Sequence, residues 1–228
     1  MFGGMKSEVE VRRMVRAQTR DAGSLHTREL PHEFLTRLGP DFLSSYYRAF
    51  VDSPHAVALA ASADGEGSLD GVLLGTFDTG AHYSHLVHRH GPDLALCALR
   101  QALKKPSLAG DILRTRLLRY CRGILRSLRH SAGKAKKDSS PQGHERVGFV
   151  AYVAVDGRRR GRGLGGRLLE VYEELAREAG LERLELVTLP DERGAVPFFD
   201  KLGYEREGEI TSRSGERYAF YTRNLLKG

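Results

Sequence analysis

The sequence predicts an α/β fold, and three features predict it. Residues 147–155 (VGFVAYVAV) form a continuous apolar, β-branched run with the character of a buried strand. From Leu164, apolar residues recur at Leu168, Tyr172, Leu175, Ala176 and Ala179, the spacing of an amphipathic helix. Two apolar runs, 55–62 (HAVALAAS) and 72–77, flank a turn-rich stretch at 63–71 and read as an antiparallel hairpin.

The remaining elements follow in chain order. Residues 9–15 read as a first strand, and Asp21 opens a short helical stretch. Gly39-Pro40-Asp41 is a helix start, with Phe42, Leu43, Tyr46 and Phe50 as the apolar stripe that follows. After the hairpin, a helix is expected over 93–105, broken at Pro106. Ser107 can cap another helix running to about Arg129, with Leu113, Leu117, Cys121, Ile124, Leu125 and Leu128 on one face. Residues 131–142 are polar and basic and read as a flexible connection. Gly180 ends the helix begun at Leu164, as a left-handed cap would. A strand at 184–189, a short helix at 195–202 stopped by Gly203, and two closing strands at 205–211 and 218–224 complete the chain.

A chain of 228 residues is long enough for one sizeable core, and 40% hydrophobic with 29% charged residues is ordinary globular composition. A single domain over 1–228 is expected, with a basic helical insertion at about 92–137. No apolar run is long enough to cross a bilayer, and MFGGMKSEVEVRRM lacks the features of a secretory signal. A cytoplasmic protein is therefore expected. Cys97 and Cys121 form no closely spaced ligand pair and read as core residues. The net charge of +7 calls for an anionic partner: nucleic acid, a membrane surface or a phosphate-rich cofactor.

The location of the charge favours the cofactor. Between the strand ending at Val155 and the helix beginning at Leu164 lies Asp-Gly-Arg-Arg-Arg160-Gly-Arg-Gly163. A helix N-terminus presents unpaired N–H groups and the positive end of the helix dipole. Glycines let a phosphate approach those groups, and arginines add forked donors. Gly161-x-Gly163-x-x-Gly166 formally matches the dinucleotide fingerprint, but a polar run separates it from its strand and too little chain follows for a doubly wound sheet. A nucleoside-triphosphate loop is excluded because no Gly-Lys-Ser/Thr is present there.

Arg160-x-x-Gly163-x-Gly165, between an apolar strand and an amphipathic helix, resembles the acyl-CoA signature of the GNAT superfamily of N-acetyltransferases. Ala195-Val-Pro-Phe-Phe-Asp-Lys-Leu-Gly-Tyr204 resembles the second segment of that family. The resemblance is specific over 147–204 and architectural before Gly80. It implies an acetyltransferase fold: a mixed, mostly antiparallel sheet, splayed at the cofactor, with helices on both faces. It also implies acetyl-CoA as acyl donor, with no metal. Val153 and Val155 would offer backbone groups to the pantetheine arm. Gly161, Arg162, Gly163, Gly165 and Gly166, with Arg160, would hold the pyrophosphate, and Ala195, Phe199 and Lys201 would line the far side. The implied reaction is direct attack of a primary amine on the thioester, the oxyanion resting on a backbone N–H such as that of Val155. The acceptor, a small-molecule amine by preference, would enter near residues 24–40 and 207–217.

Two positions depart from the family. Phe199 stands where a tyrosine acid is often found, and Glu192 where an asparagine is common. Tyr152, Tyr204, Tyr218 and Tyr221 are alternative acids, while Glu145, His144, Glu192 and water are alternative bases; Tyr152, Glu145 and Tyr204 are the leading candidates. Phe199 also keeps a non-catalytic acyl-CoA sensor as an alternative. The arginine-rich stretch at 107–129 keeps a nucleic-acid or membrane-surface binder as another, and its apolar face would suit a homodimer contact. His82, His85, His88 and His90 are read as structural or solvated histidines rather than metal ligands.

Overall fold

The computed structural model describes residues 9–65, 68–105, 145–191, 194–212 and 215–226. Among these residues seven strands form one sheet: β1 (Glu10–Arg13), β2 (Ala56–Ser62), β3 (Gly71–Thr76), β4 (Val147–Val155), β5 (Arg183–Thr188), β6 (Glu205–Thr211) and β7 (Arg217–Asn224). Their order is β1-β2-β3-β4-β5-β7-β6, and only β4 and β5 run parallel. A parallel pair needs a crossover. Here it is the helix α5 (Leu164–Glu178), which Gly180 terminates at φ +75°.

Helices cover both faces. On one side lie α1 (Thr19–Glu29), α2 (Phe34–Arg37), α3 (Pro40–Asp52) and α4 (Thr79–Lys104); on the other lie α5 and α6 (Val196–Lys201). Strand alternation divides the core accordingly. Leu73, Val150 and Leu184 pack with Leu168 and Tyr172 of α5, whereas Ala58, Val72 and Leu74 pack with Leu25, Phe42 and Phe50 of α1 and α3. The hairpin, the mixed sheet and the two helical faces agree with the sequence reading.

One helix differs from expectation. The segment expected at 93–105 begins fourteen residues earlier, at Thr79, because Asp78 caps it by accepting the Ala81 N–H at 2.9 Å. His82, Leu86, His90, Leu94 and Ala98 recur every four residues and form its buried stripe, so the histidine cluster lies on a helix that continues through Pro92. Cys97 is half-buried on this helix. The helix expected at 107–129, with Cys121, lies outside the described residues. Among the described residues no helix is long and apolar enough to cross a membrane.

Candidate active site

The sheet opens between its two parallel strands. β4 and β5 pair only from Val147↔Arg183 to Val150↔Leu186. Beyond that point β4 stays with β3 as far as Val155↔Gly71, and β5 stays with β7 as far as Thr188↔Ala219. The divergence starts at a bulge: Gly75 faces Val150 and Leu74 faces Tyr152, leaving Ala151 as the extra residue. A bulge bends its strand and increases the local twist, which turns β4 away from β5.

Backbone groups line this opening. The Asp156 N–H donates to the Asp70 carbonyl at 2.8 Å. Alternate residues of an antiparallel strand face the same neighbour, so Tyr152 and Ala154 also address β3, while Val153 and Val155 turn their N–H and C=O into the gap. Their side chains pack towards α5, and Tyr152 packs towards α1 and α3.

The gap leads to the glycine-rich turn. Asp156 caps a short 3-10 turn, Gly157–Arg159, by accepting the Arg158 N–H at 2.9 Å. Gly161 and Gly163 then adopt φ of +77° and +85°, a region that favours glycine, and the site of a Cβ at either is open space. Gly163 leads into α5, whose first backbone bond is Arg167 N–H to Gly163 C=O at 2.9 Å. The N–H groups of Leu164, Gly165 and Gly166 therefore have no partner within the helix. Gly165 has a different role: a Cβ there would lie 3.0 Å from the Phe198 ring, so its absence lets α6 approach the start of α5.

Carboxylates organise the arginines of this turn. Asp156 is 5% exposed and receives Arg158 Nη2 at 2.9 Å and Arg28 Nη2 at 2.8 Å. Hydrogen bonds from Arg158 hold its pKa well below the usual carboxylate range. Arg159 pairs with Asp64 and Asp70. Arg160 Nη2 donates to Glu29 Oε2 at 2.8 Å, and its Nε lies 3.4 Å from the Val155 carbonyl. Arg162 is exposed and has no ion-pair partner among the described residues. Sequence reasoning missed Glu29 and Arg28, because nothing local connects the end of α1 to a turn about 130 residues away.

Across the gap, Ala195 caps α6 and donates its N–H to Thr188 Oγ1 at 2.8 Å, which fixes the start of that helix to the end of β5. Phe199, expected to line the cleft, is 4% exposed and packs in the core against Tyr204 and Tyr221 at ring distances of 5.6 and 5.9 Å. Phe198, one position earlier on the helix, is the ring beside Gly165. Lys201 is exposed at the end of α6.

The three leading catalytic candidates are not brought together. Tyr152 sits on the splayed part of β4, its ring 4.8 Å from that of His26 and 6.3 Å from that of Tyr46. His26 is fully buried; its Nδ1 lies 3.2 Å from Tyr47 Oη, and burial lowers its pKa to about 4. Glu145 precedes β4 at the closed end, exposed and 3.4 Å from Arg183. Eight residues of strand separate it from Val153, roughly 26 Å at the usual rise. The buried Tyr204 hydroxyl donates to Glu173 Oε1 at 3.0 Å. Of the alternatives, Tyr221 donates to Asp200 at 2.6 Å and Tyr218 to Glu216 at 2.8 Å. His144 and Glu192 lie outside the described residues. So does the whole basic stretch at 107–129 that suggested a nucleic-acid or membrane partner. Among the described residues no group of histidine, cysteine and carboxylate side chains could hold a metal ion.

Parallel strands that splay apart and open onto a glycine turn have counterparts among known proteins. Residues 130–204 match the model of the Acetyltransferase (GNAT) family. A probable glucosamine 6-phosphate N-acetyltransferase 2 of Oryza sativa subsp. japonica is 37% identical over 67 residues, covering 29% of this chain and 39% of that protein. An uncharacterised protein, YdhI of Bacillus subtilis (strain 168), is 34% identical over 53 residues, covering 23% and 33%. The chain thus spans less than two fifths of the length of these curated relatives. The crystal structure of an aminoglycoside 6'-N-acetyltransferase complexed with coenzyme A superimposes with a TM-score of 0.56 at 13% identity, over 96% of this chain and 98% of that one. That likeness is one of fold.

Proposed function

We propose that this chain is an N-acyltransferase that transfers an acetyl group from acetyl-CoA to a primary amine by direct attack on the thioester. The observation that carries the reading is the continuous path of backbone donors, from Val153 and Val155 in the splay to the N-terminus of α5 behind Gly161 and Gly163. Coenzyme A combines an extended amide-bearing arm with a pyrophosphate. The arm would add to β4 where β5 has left, pairing with Val153 and Val155. The pyrophosphate would rest on the turn and on the unpaired N–H groups of Leu164, Gly165 and Gly166, with Arg160 and Arg162 beside it. Ala195 and Phe198 form the opposite wall; Phe199 supports that wall from the core.

In the reaction, the amine nitrogen bonds to the thioester carbon and the carbonyl oxygen becomes an oxyanion held by a backbone N–H in the splay. Collapse breaks the C–S bond, the thiolate leaves with a proton, and the amine gives one up to water, the base that remains once Glu145 is placed at the closed end. Tyr152 is the candidate acid, because it is the one of the three leading candidates on the splayed stretch. The low pKa of His26 keeps the neighbouring imidazole neutral at pH 7.

The acceptor reading is a cationic amine. Glu33, in the α1–α2 connection, has its pKa raised first by burial and then by the charge of Glu216 in the β6–β7 hairpin. Two carboxylates from the two stretches expected to admit the acceptor favour an ammonium between them. The acceptor in this reading is a small-molecule amine.

Thermal unfolding with and without ligand tests the cofactor. Acetyl-CoA and CoA at a hundred times Kd should each add about 2.7 kcal/mol, raising the midpoint, while NADH should not. Gly163→Glu places a carboxylate in the open space of the turn and should abolish the shift. No shift with either CoA ligand would end the reading; a shift would be followed by an amine screen for turnover.

A further inference from the structure

Resting on the coenzyme A reading, we propose that Glu29 is a positioning residue that competes with the cofactor pyrophosphate for Arg160. Glu29 is the last residue of α1, and its side chain is 10% exposed. It accepts Arg160 Nη2 at 2.8 Å and Arg28 Nε at 3.1 Å, and Arg28 in turn holds the buried Asp156 at 2.8 Å. Glu29 is therefore anchored on the protein side. The Arg160 side chain is 62% exposed, so its guanidinium also faces solvent.

The position of Arg160 matters because its Nε lies 3.4 Å from the Val155 carbonyl. That carbonyl ends the splayed edge on which the pantetheine arm would pair. One guanidinium thus bridges Glu29 and the last backbone acceptor of the opening, and the N–H groups it directs there are unavailable to a phosphate. Arg162, two residues on, has no such partner among the described residues. The turn carries one guanidinium ready for an anion and one latched by a carboxylate. When CoA arrives, Arg160 exchanges the Glu29 carboxylate for the pyrophosphate and uncovers Val155. When CoA leaves, Glu29 takes it back, which favours release.

The test is a double-mutant cycle on CoA affinity, measured by titration calorimetry with the wild type, Glu29→Gln, Arg160→Met and the double variant. Glu29→Gln should tighten CoA about two- to fivefold, the scale of an ion pair with one exposed partner. Arg160→Met should weaken CoA, and in its background Glu29→Gln should have no further effect. Glu29→Asp keeps the charge but shortens the reach, and should also tighten CoA. An equal gain from Glu29→Gln with or without Arg160 would reduce the effect to removal of a nearby charge and overturn the latch, as would no gain at all. Failure of CoA to bind the wild type would overturn the coenzyme reading and the latch with it, an outcome distinct from wild-type binding that Glu29→Gln leaves unchanged.

Discussion

The Tyr204 hydroxyl illustrates how a residue's surroundings assign its work. It is buried and bound to Glu173, and burial, with that carboxylate alongside, pushes its pKa up. A phenol so held keeps its proton. Tyr204→Phe should cost about 1–2 kcal/mol in urea unfolding and leave kcat unchanged. Glu173 would still have Arg177 at 3.2 Å and Arg223 at 3.6 Å. Tyr152→Phe should instead lower kcat about tenfold or more, with CoA affinity and stability little altered, if its hydroxyl protonates the leaving thiolate. Steady-state kinetics with a turned-over amine reads both variants, and equal kcat values for Tyr152→Phe and wild type would leave the thiolate to water. At this scale the sequence could name tyrosines but not rank them, since four compete and only their places in the fold and their partners distinguish them.

At the scale of elements, the opening depends on how β3, β4 and α5 lock together below it. The Tyr172 hydroxyl donates to the Thr76 carbonyl at 2.8 Å and lies 3.3 Å from that of Phe149, tying the closed ends of β3 and β4 to the helix. Its ring fits only because position 75 has no side chain: a Cβ there would lie 2.4 Å from the ring. Gly75 also sits at the bulge. Gly75→Ala should therefore destabilise the protein by about 1–3 kcal/mol in chemical denaturation. CoA affinity should fall as well, because the divergence of β4 begins at this register shift. The strands, α3 and α5 were legible in the sequence because their apolar periodicity and end residues are local. The start of α4 was not: its buried stripe includes His82 and His90, which do not read as apolar, so the pattern became visible only from Leu94 onward.

At the scale of the whole molecule, one layer of the core carries an acid sensitivity. The layer containing α1, α3 and α4 buries His26 and His82, both fully inaccessible, and burial lowers their pKa values to about 4 and about 3. Both ring nitrogens of His82 lack a hydrogen-bond partner among the described residues, and its ring lies 4.1 Å from that of Phe50. In the unfolded chain these histidines take a proton near pH 6.5. Below that pH the unfolded state binds more protons than the folded one, so stability must fall as pH drops from 6.5 towards the folded-state values. Each histidine contributes a slope of up to about 1.4 kcal/mol per pH unit. Thermal midpoints between pH 7 and 4.5 should show this loss, and His82→Leu should flatten it. An unchanged slope in that variant would place the acid sensitivity elsewhere.

The sequence by itself determined the α/β class, the glycine turn between an apolar strand and an amphipathic helix, and the second segment at 195–204. Each is a pattern within a short window, and strand alternation, helical spacing and backbone freedom are properties of neighbouring residues. Tertiary structure alone decided that β4 leaves β5 after Val150, that Glu145 sits at the closed end, and that Phe199 enters the core while Phe198 faces Gly165. It also decided that Arg160 meets Glu29 across 131 positions of sequence. These are questions of which residues meet when distant elements pack, and the physical reason they escape a linear reading is that burial and pairing are set by the partner, not by the residue.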